Sequence, residues 1–179
     1  MQDLDFIKDT KLRKTLEDSI EYIYTLFEQS KENQQNQLYK EETYRVIILY
    51  VISAIEAVLL YFYKERGEKI ESIEYKYVQT LPESYVNNNK KGLPVVVAVQ
   101  VKIEKEEHQI GLHDLITFFK NKNLIQEKTA DNILELNDVR NTFHFSKPRV
   151  KNCDIERVES ALKLLVHTIQ RAPIALKIK

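Results

Sequence analysis

Among 179 residues with four histidines, the pair best suited to act on a small charged object is Arg140 and His144. An unperturbed imidazole titrates near pH ~6.5 and can take or give a proton, and a guanidinium offers an anion a planar fork of donors. Both lie in Leu136-Asn137-Asp138-Val139-Arg140-Asn141-Thr142-Phe143-His144-Phe145-Ser146-Lys147-Pro148-Arg149, the end of a pattern that predicts a helix from about Gln126. At about 100° per residue, Ile133, Leu136, Val139 and Phe143 share one broad arc. Arg140 and His144 fall at the edge of that arc, beside Ile133. One turn apart on one helical face, they can reach the same object. A guanidinium among apolar neighbours needs a partner or a wet cleft, because an unpaired buried charge costs on the order of several kcal/mol. Pro148 is expected to end the helix, leaving Lys147 and Arg149 on the exit loop as candidate phosphate contacts or as solvated surface cations.

The remainder of the chain reads as the frame for these residues. Its length and its 43% hydrophobic content suit one globular domain spanning residues 1–179. Lys plus Arg and Asp plus Glu stand at 27 each, so no global field draws the chain to polyanions and any such site must be local. A single cysteine, Cys153, excludes an intrachain disulfide and a cysteine zinc cluster, as expected of a reducing cytosol. The first residues carry no basic-then-apolar secretory pattern, and a cytoplasmic location is expected.

Periodicity divides the chain into a mainly α fold: an antiparallel bundle of about five helices with an inserted two-stranded antiparallel β-hairpin at about 72–104. Leu12, Leu16, Ile20, Ile23 and Phe27 predict a first helix from about Asp9 to Gln29. The second runs from about Lys40 to Arg66 and stops at Gly67, with Lys64 and Arg66 suiting its C-terminal dipole. Its run from Val46 to Tyr63 is apolar apart from Ser53 and Glu56. That length is marginal for a bilayer, and a Glu amid tyrosines argues for the buried centre of a bundle. Alternation of Ile73, Tyr75 and Tyr77, and of Val95 through Ile103, gives the hairpin. The hairpin lies in an insert at about 70–108, either decoration or an oligomer contact. Further helices begin near Gly111, near Gln126 and at Asp154, with Pro173 expected to end the last.

Glu56 is the natural partner for Arg140, as a buried carboxylate facing a guanidinium on another helix. His108, His113, Glu106, Glu107 and Asp114 straddle a strand-to-helix corner and do not make a convincing metal set. His167 reads as a packing or interface histidine, and Cys153 lacks the neighbours of a nucleophile. Three glycines cannot make a phosphate loop.

Arg140-Asn141-x-x-His144, following the very apolar helix with Ile55-Glu56-Ala57-Val58-Leu59, resembles the HEPN (higher eukaryotes and prokaryotes nucleotide-binding) superfamily. Its members are small helical bundles, many of them metal-independent endoribonucleases of toxin, antiviral and RNA-processing systems. Only three residues separate Arg140 from His144, one short of the usual spacing, and the hairpin is no part of the common core. The resemblance implies RNA cleavage by attack of the RNA's own 2′-hydroxyl. His144 would be the base and Arg140 the cation on the developing charge, with Asn141 orienting the histidine or holding the loop. It also implies a homodimer whose two motifs share one cleft, and no cofactor. Two alternatives stand beside it. One is a non-catalytic domain that binds a nucleotide or a partner, such as an antitoxin or a nucleotidyltransferase. The other is an oligomeric helical scaffold in which Arg140 bridges to Glu56 or Glu135.

Overall fold

The structure is a computed structural model that describes residues 4–32, 36–82, 95–142 and 153–176. Among the described residues five α-helices and one hairpin follow one another: α1 (Thr10–Glu32), α2 (Gln37–Arg66), β1 (Glu71–Thr80), β2 (Val96–Glu104), α3 (Leu112–Asn121), α4 (Glu127–Asn141) and α5 (Ile155–Leu176). They form two compact units, the helices within residues 1–68 and 111–179, and the hairpin within 69–110.

The helical unit is built around α2. Ile47, Ile48, Val51, Ile52, Ile55 and Val58 are all sealed from solvent, and α2 packs against each of the other helices. By length and composition α2 could cross a membrane, yet 61% of its most apolar window is buried inside the bundle, the position of a core helix. Its ends are well specified. Asn36 accepts the Tyr39 N–H at 3.1 Å as N-cap. Gly67 closes the other end at φ 62°, where a side chain would be strained, and its N–H donates to the Lys64 carbonyl at 3.0 Å.

The helices α1, α2, α4 and α5 alternate in direction. Near the start of α1, Phe6 stacks on Phe62 with centroids 5.5 Å apart, and further along Tyr22 meets Tyr50 edge-on at 5.2 Å, so α1 runs against α2. Arg157, early in α5, pairs with Glu135 of α4 at 3.4 Å, while His167 and Arg171 line a cavity with Thr129, near the start of α4. These two helices therefore also run in opposite directions. The bundle with a hairpin between its helices matches the expected fold class.

Two helix boundaries differ from expectation. Pro173 lies inside α5, which continues to Leu176; a proline in the last turn forfeits one N–H bond and leaves the body of the helix intact. At its far end, α4 stops at Asn141. The Thr142 N–H donates to the Val139 carbonyl at 3.0 Å and its hydroxyl donates to the same oxygen at 2.7 Å, a tightened turn that closes the helix.

In the hairpin, Tyr75 faces Gln100 across the ladder, Ile73 faces Lys102 and Tyr77 faces Ala98. Directly opposed residues share a face. The Ile73, Tyr75 and Tyr77 column is therefore on one face, with polar or small partners, and the Val99 and Val101 column is on the other, opposite Lys76 and Glu74. An irregularity between Tyr77 and Gln79 adds Val78 to β1 as a bulge.

Candidate functional site

Arg140 sits in the last turn of α4, whose Ala130, Ile133, Leu136 and Val139 are buried. That apolar stripe fixes the rotation of α4 and presents Arg140 at its edge, toward α2. The Arg140 Nη1 donates to the Glu56 Oε2 at 2.9 Å. The two side chains retain 25% and 29% of their exposure, so the pair lies at the rim of the bundle, half shielded and still open to solvent. Among the described residues Glu56 is the partner of Arg140. Glu135, the other candidate partner, is taken by Arg157.

The described part of α4 ends at Asn141 with Thr142 as its C-cap, so the expected face shared by Arg140 and His144 is described at Arg140 alone. His144, Lys147 and Arg149 lie outside the described residues. Asn141 is half-buried as the last residue of α4. One turn earlier, Asn137 holds a buried Oδ1 with no hydrogen-bond partner among the described residues.

Within α2, the deepest polar side chains are not those singled out from the sequence. Ser53 is exposed and its hydroxyl donates to the Leu49 carbonyl at 2.9 Å, while Glu56 is only half-buried. Arg45 is buried, at 8% exposure. Its Nε lies 3.6 Å from Glu42 Oε1, and its charge, like that of Arg157, acts on the buried Cys153. Burial pushes the Cys153 thiol above its ordinary range, against the opposing pull of Arg45 and Arg157. The sequence signal for Arg45 is its place just before the apolar run, with Glu42 one turn earlier.

At the other end of α2, Glu68 receives the Lys122 ammonium and the Arg66 guanidinium, the latter with Nη2 at 2.7 Å. Hydrogen bonds from Lys122 and then Arg66 hold the Glu68 carboxyl below its ordinary value. A cavity of about 450 Å³ near this end is lined by Leu59, Phe62, Phe119, His167, Thr168 and Arg171 among others. It does not include Glu56 or Arg140. His167, expected as a packing histidine, is half-buried in its wall. His113 is exposed, and Asp114 accepts the Gly111 N–H at 3.1 Å at the start of α3. In the hairpin unit, His108 Nδ1 lies 3.4 Å from Glu106. Among the described residues no three His, Cys, Asp or Glu side chains converge.

No protein-family model, curated protein or solved structure matches this chain.

Proposed function

We propose that this chain is a HEPN-like domain that acts on RNA, a metal-independent endoribonuclease of a bacterial toxin or defence system, working in the cytoplasm as a homodimer. The observation that carries the reading is the half-exposed Glu56–Arg140 pair at the end of α4, with a helical bundle behind it. Glu56 holds the guanidinium by one nitrogen, which orients the fork without using up its donors. In the proposed reaction His144 takes the proton of a ribose 2′-hydroxyl. That oxygen attacks the adjacent phosphorus, and the bond to the 5′-oxygen breaks as that oxygen takes a proton from water, giving a 2′,3′-cyclic phosphate and a 5′-hydroxyl. Arg140 stabilises the charge that builds on the non-bridging oxygens. Lys147 and Arg149 would contact neighbouring phosphates, and Asn141 would orient the histidine.

Labelled RNA incubated with the purified protein in EDTA tests this. The expected outcome is cleavage that His144→Ala and Arg140→Ala abolish and an exposed control such as Ser53→Ala leaves intact. RNA that survives high protein concentration would overturn the reading. A second reading, in which the same cleft binds a nucleotide or a partner without cutting, is favoured by the fact that Arg140 already has a carboxylate partner. Calorimetry with ATP or a tRNA would then show heat that Arg140→Ala removes.

A further inference from the structure

The hairpin unit carries an apolar column with nothing over it among its own described residues. Ile73, Tyr75 and Tyr77 remain 58%, 67% and 64% exposed, and the sheet they belong to has two strands. Two strands alone are marginal in water, and an uncovered edge is a template for pairing.

The ladder shows which backbone groups β1 offers. The Lys105 N–H donates to the Ile70 carbonyl at 2.9 Å, which makes Ile70 and Lys105 a hydrogen-bonded pair. Alternation along an antiparallel strand then turns the amide groups of Ser72, Glu74 and Lys76 toward β2. Those of Ile73, Tyr75 and Tyr77 face outward, along the free edge.

We propose that β1 pairs edge to edge with β1 of a second copy of this chain, antiparallel and two-fold about Tyr75, giving one four-stranded sheet in the order β2, β1, partner β1, partner β2. The argument is the charge pattern Glu74-Tyr75-Lys76. With the axis at Tyr75, each Glu74 lies opposite a Lys76 of the other copy, and each Ile73 lies opposite a Tyr77. Moving the axis by one residue sets Glu74 against Glu74, or Lys76 against Lys76, and like charges directly opposed are destabilising. Charge thus selects one register among those the backbone allows. No ion pair is recorded for Glu74 or Lys76 among the described residues, so both are available.

The same arrangement joins Ile73, Tyr75 and Tyr77 of both copies into one apolar patch. Each Tyr75 is already steadied by Gln100, whose Nε2 donates to its hydroxyl at 2.8 Å. The bulge at Val78 bends β1 just past Tyr77 and confines the pairing to the segment where the pattern is self-complementary. The outer edge of β2 carries Lys102 and Glu104, but each is already paired across the hairpin, with Glu71 and with Lys69. This interface is distinct from the shared cleft of the ribonuclease reading, and the charge reversals that test it do not involve Arg140, so association indifferent to them would overturn this proposal and leave that reading standing.

Sedimentation of the full chain over a concentration series decides it, using Glu74→Lys, Lys76→Glu and the double exchange. Both substitutions fall on exposed side chains, and an unchanged urea midpoint establishes that the three variants fold. Each single reversal turns two attractive pairs per dimer into repulsive ones and should raise the dimer Kd roughly tenfold or more. The double exchange restores the opposite charges and should return the wild-type value. A chain that stays monomeric at about 1 mM, an association indifferent to the single reversals, or a double exchange that fails to restore it would each overturn the proposal.

Discussion

Arg140 on α4 closes on Glu56 of α2, 84 residues earlier in the chain, with Nη1 and Oε2 2.9 Å apart. A pair with about a quarter of each side chain exposed is screened less than a surface ion pair and pays less desolvation than a sealed one.

Removing the carboxylate should therefore leave a half-shielded guanidinium with no recorded partner among the described residues. Glu56→Ala is expected to lower unfolding free energy by about 1–3 kcal/mol, between the ranges for exposed and buried pairs. The double variant with Arg140→Ala should cost less than the two single changes added together. Urea midpoints of the four proteins check this. A Glu56→Ala variant with wild-type stability would remove the pair from the account.

How α2 faces its neighbours can be tested one turn away. Ile55 is fully buried and Ser53 is exposed. Ile55→Ala should cost about 2–5 kcal/mol, and Ser53→Ala less than about 0.5 kcal/mol. Equal effects would mean that the helix is rotated.

Much of this frame was legible because a 3.6-residue period leaves a mark in the sequence. The stop at Gly67 was placed correctly. The helix start at Asp154 is legible as well, and there Oδ1 accepts the Arg157 N–H at 2.9 Å. The pairing of Glu56 with Arg140 followed from the need of each charge for a partner. Less could be read along α2, which is apolar on nearly every side and so carries no strong phase to show which polar residue points inward. The period therefore marks neither the burial of Arg45 nor the exposure of Ser53. The apolar spacing of α4 runs on to Phe143, which lies outside the described residues, while the Thr142 hydroxyl bonds to the Val139 carbonyl in the last described turn. In the hairpin both alternating columns were visible, but their opposite faces depend on a register that one residue of slip would invert.

Acid should uncouple Glu68 from Lys122 and Arg66. Its carboxyl is held below the ordinary value of 4.5, so its contribution is fully present above that value and is lost as pH falls through the lower, folded one. Wild type should melt above Glu68→Gln at neutral pH, and the gap should close as the solution is acidified below the ordinary carboxylate range. A gap that widened in acid would contradict the assignment.

Cys153 offers a reporter of opening at the base of α5. It is 2% exposed and its thiol is pushed upward by burial. Labelling with a thiol reagent at neutral pH should be much slower in the folded protein than in urea, and it should track unfolding. Rapid labelling of the folded chain would show that this corner opens on its own.

The most direct test of the central claim, that the guanidinium held by Glu56 serves catalysis, is RNA cleavage in EDTA by Arg140→Lys. Lysine keeps the charge and can keep the contact with Glu56, but it lacks the planar fork. The account predicts a folded variant that cleaves at least about 100-fold more slowly than wild type. Cleavage at the wild-type rate by a folded Arg140→Lys protein would contradict it.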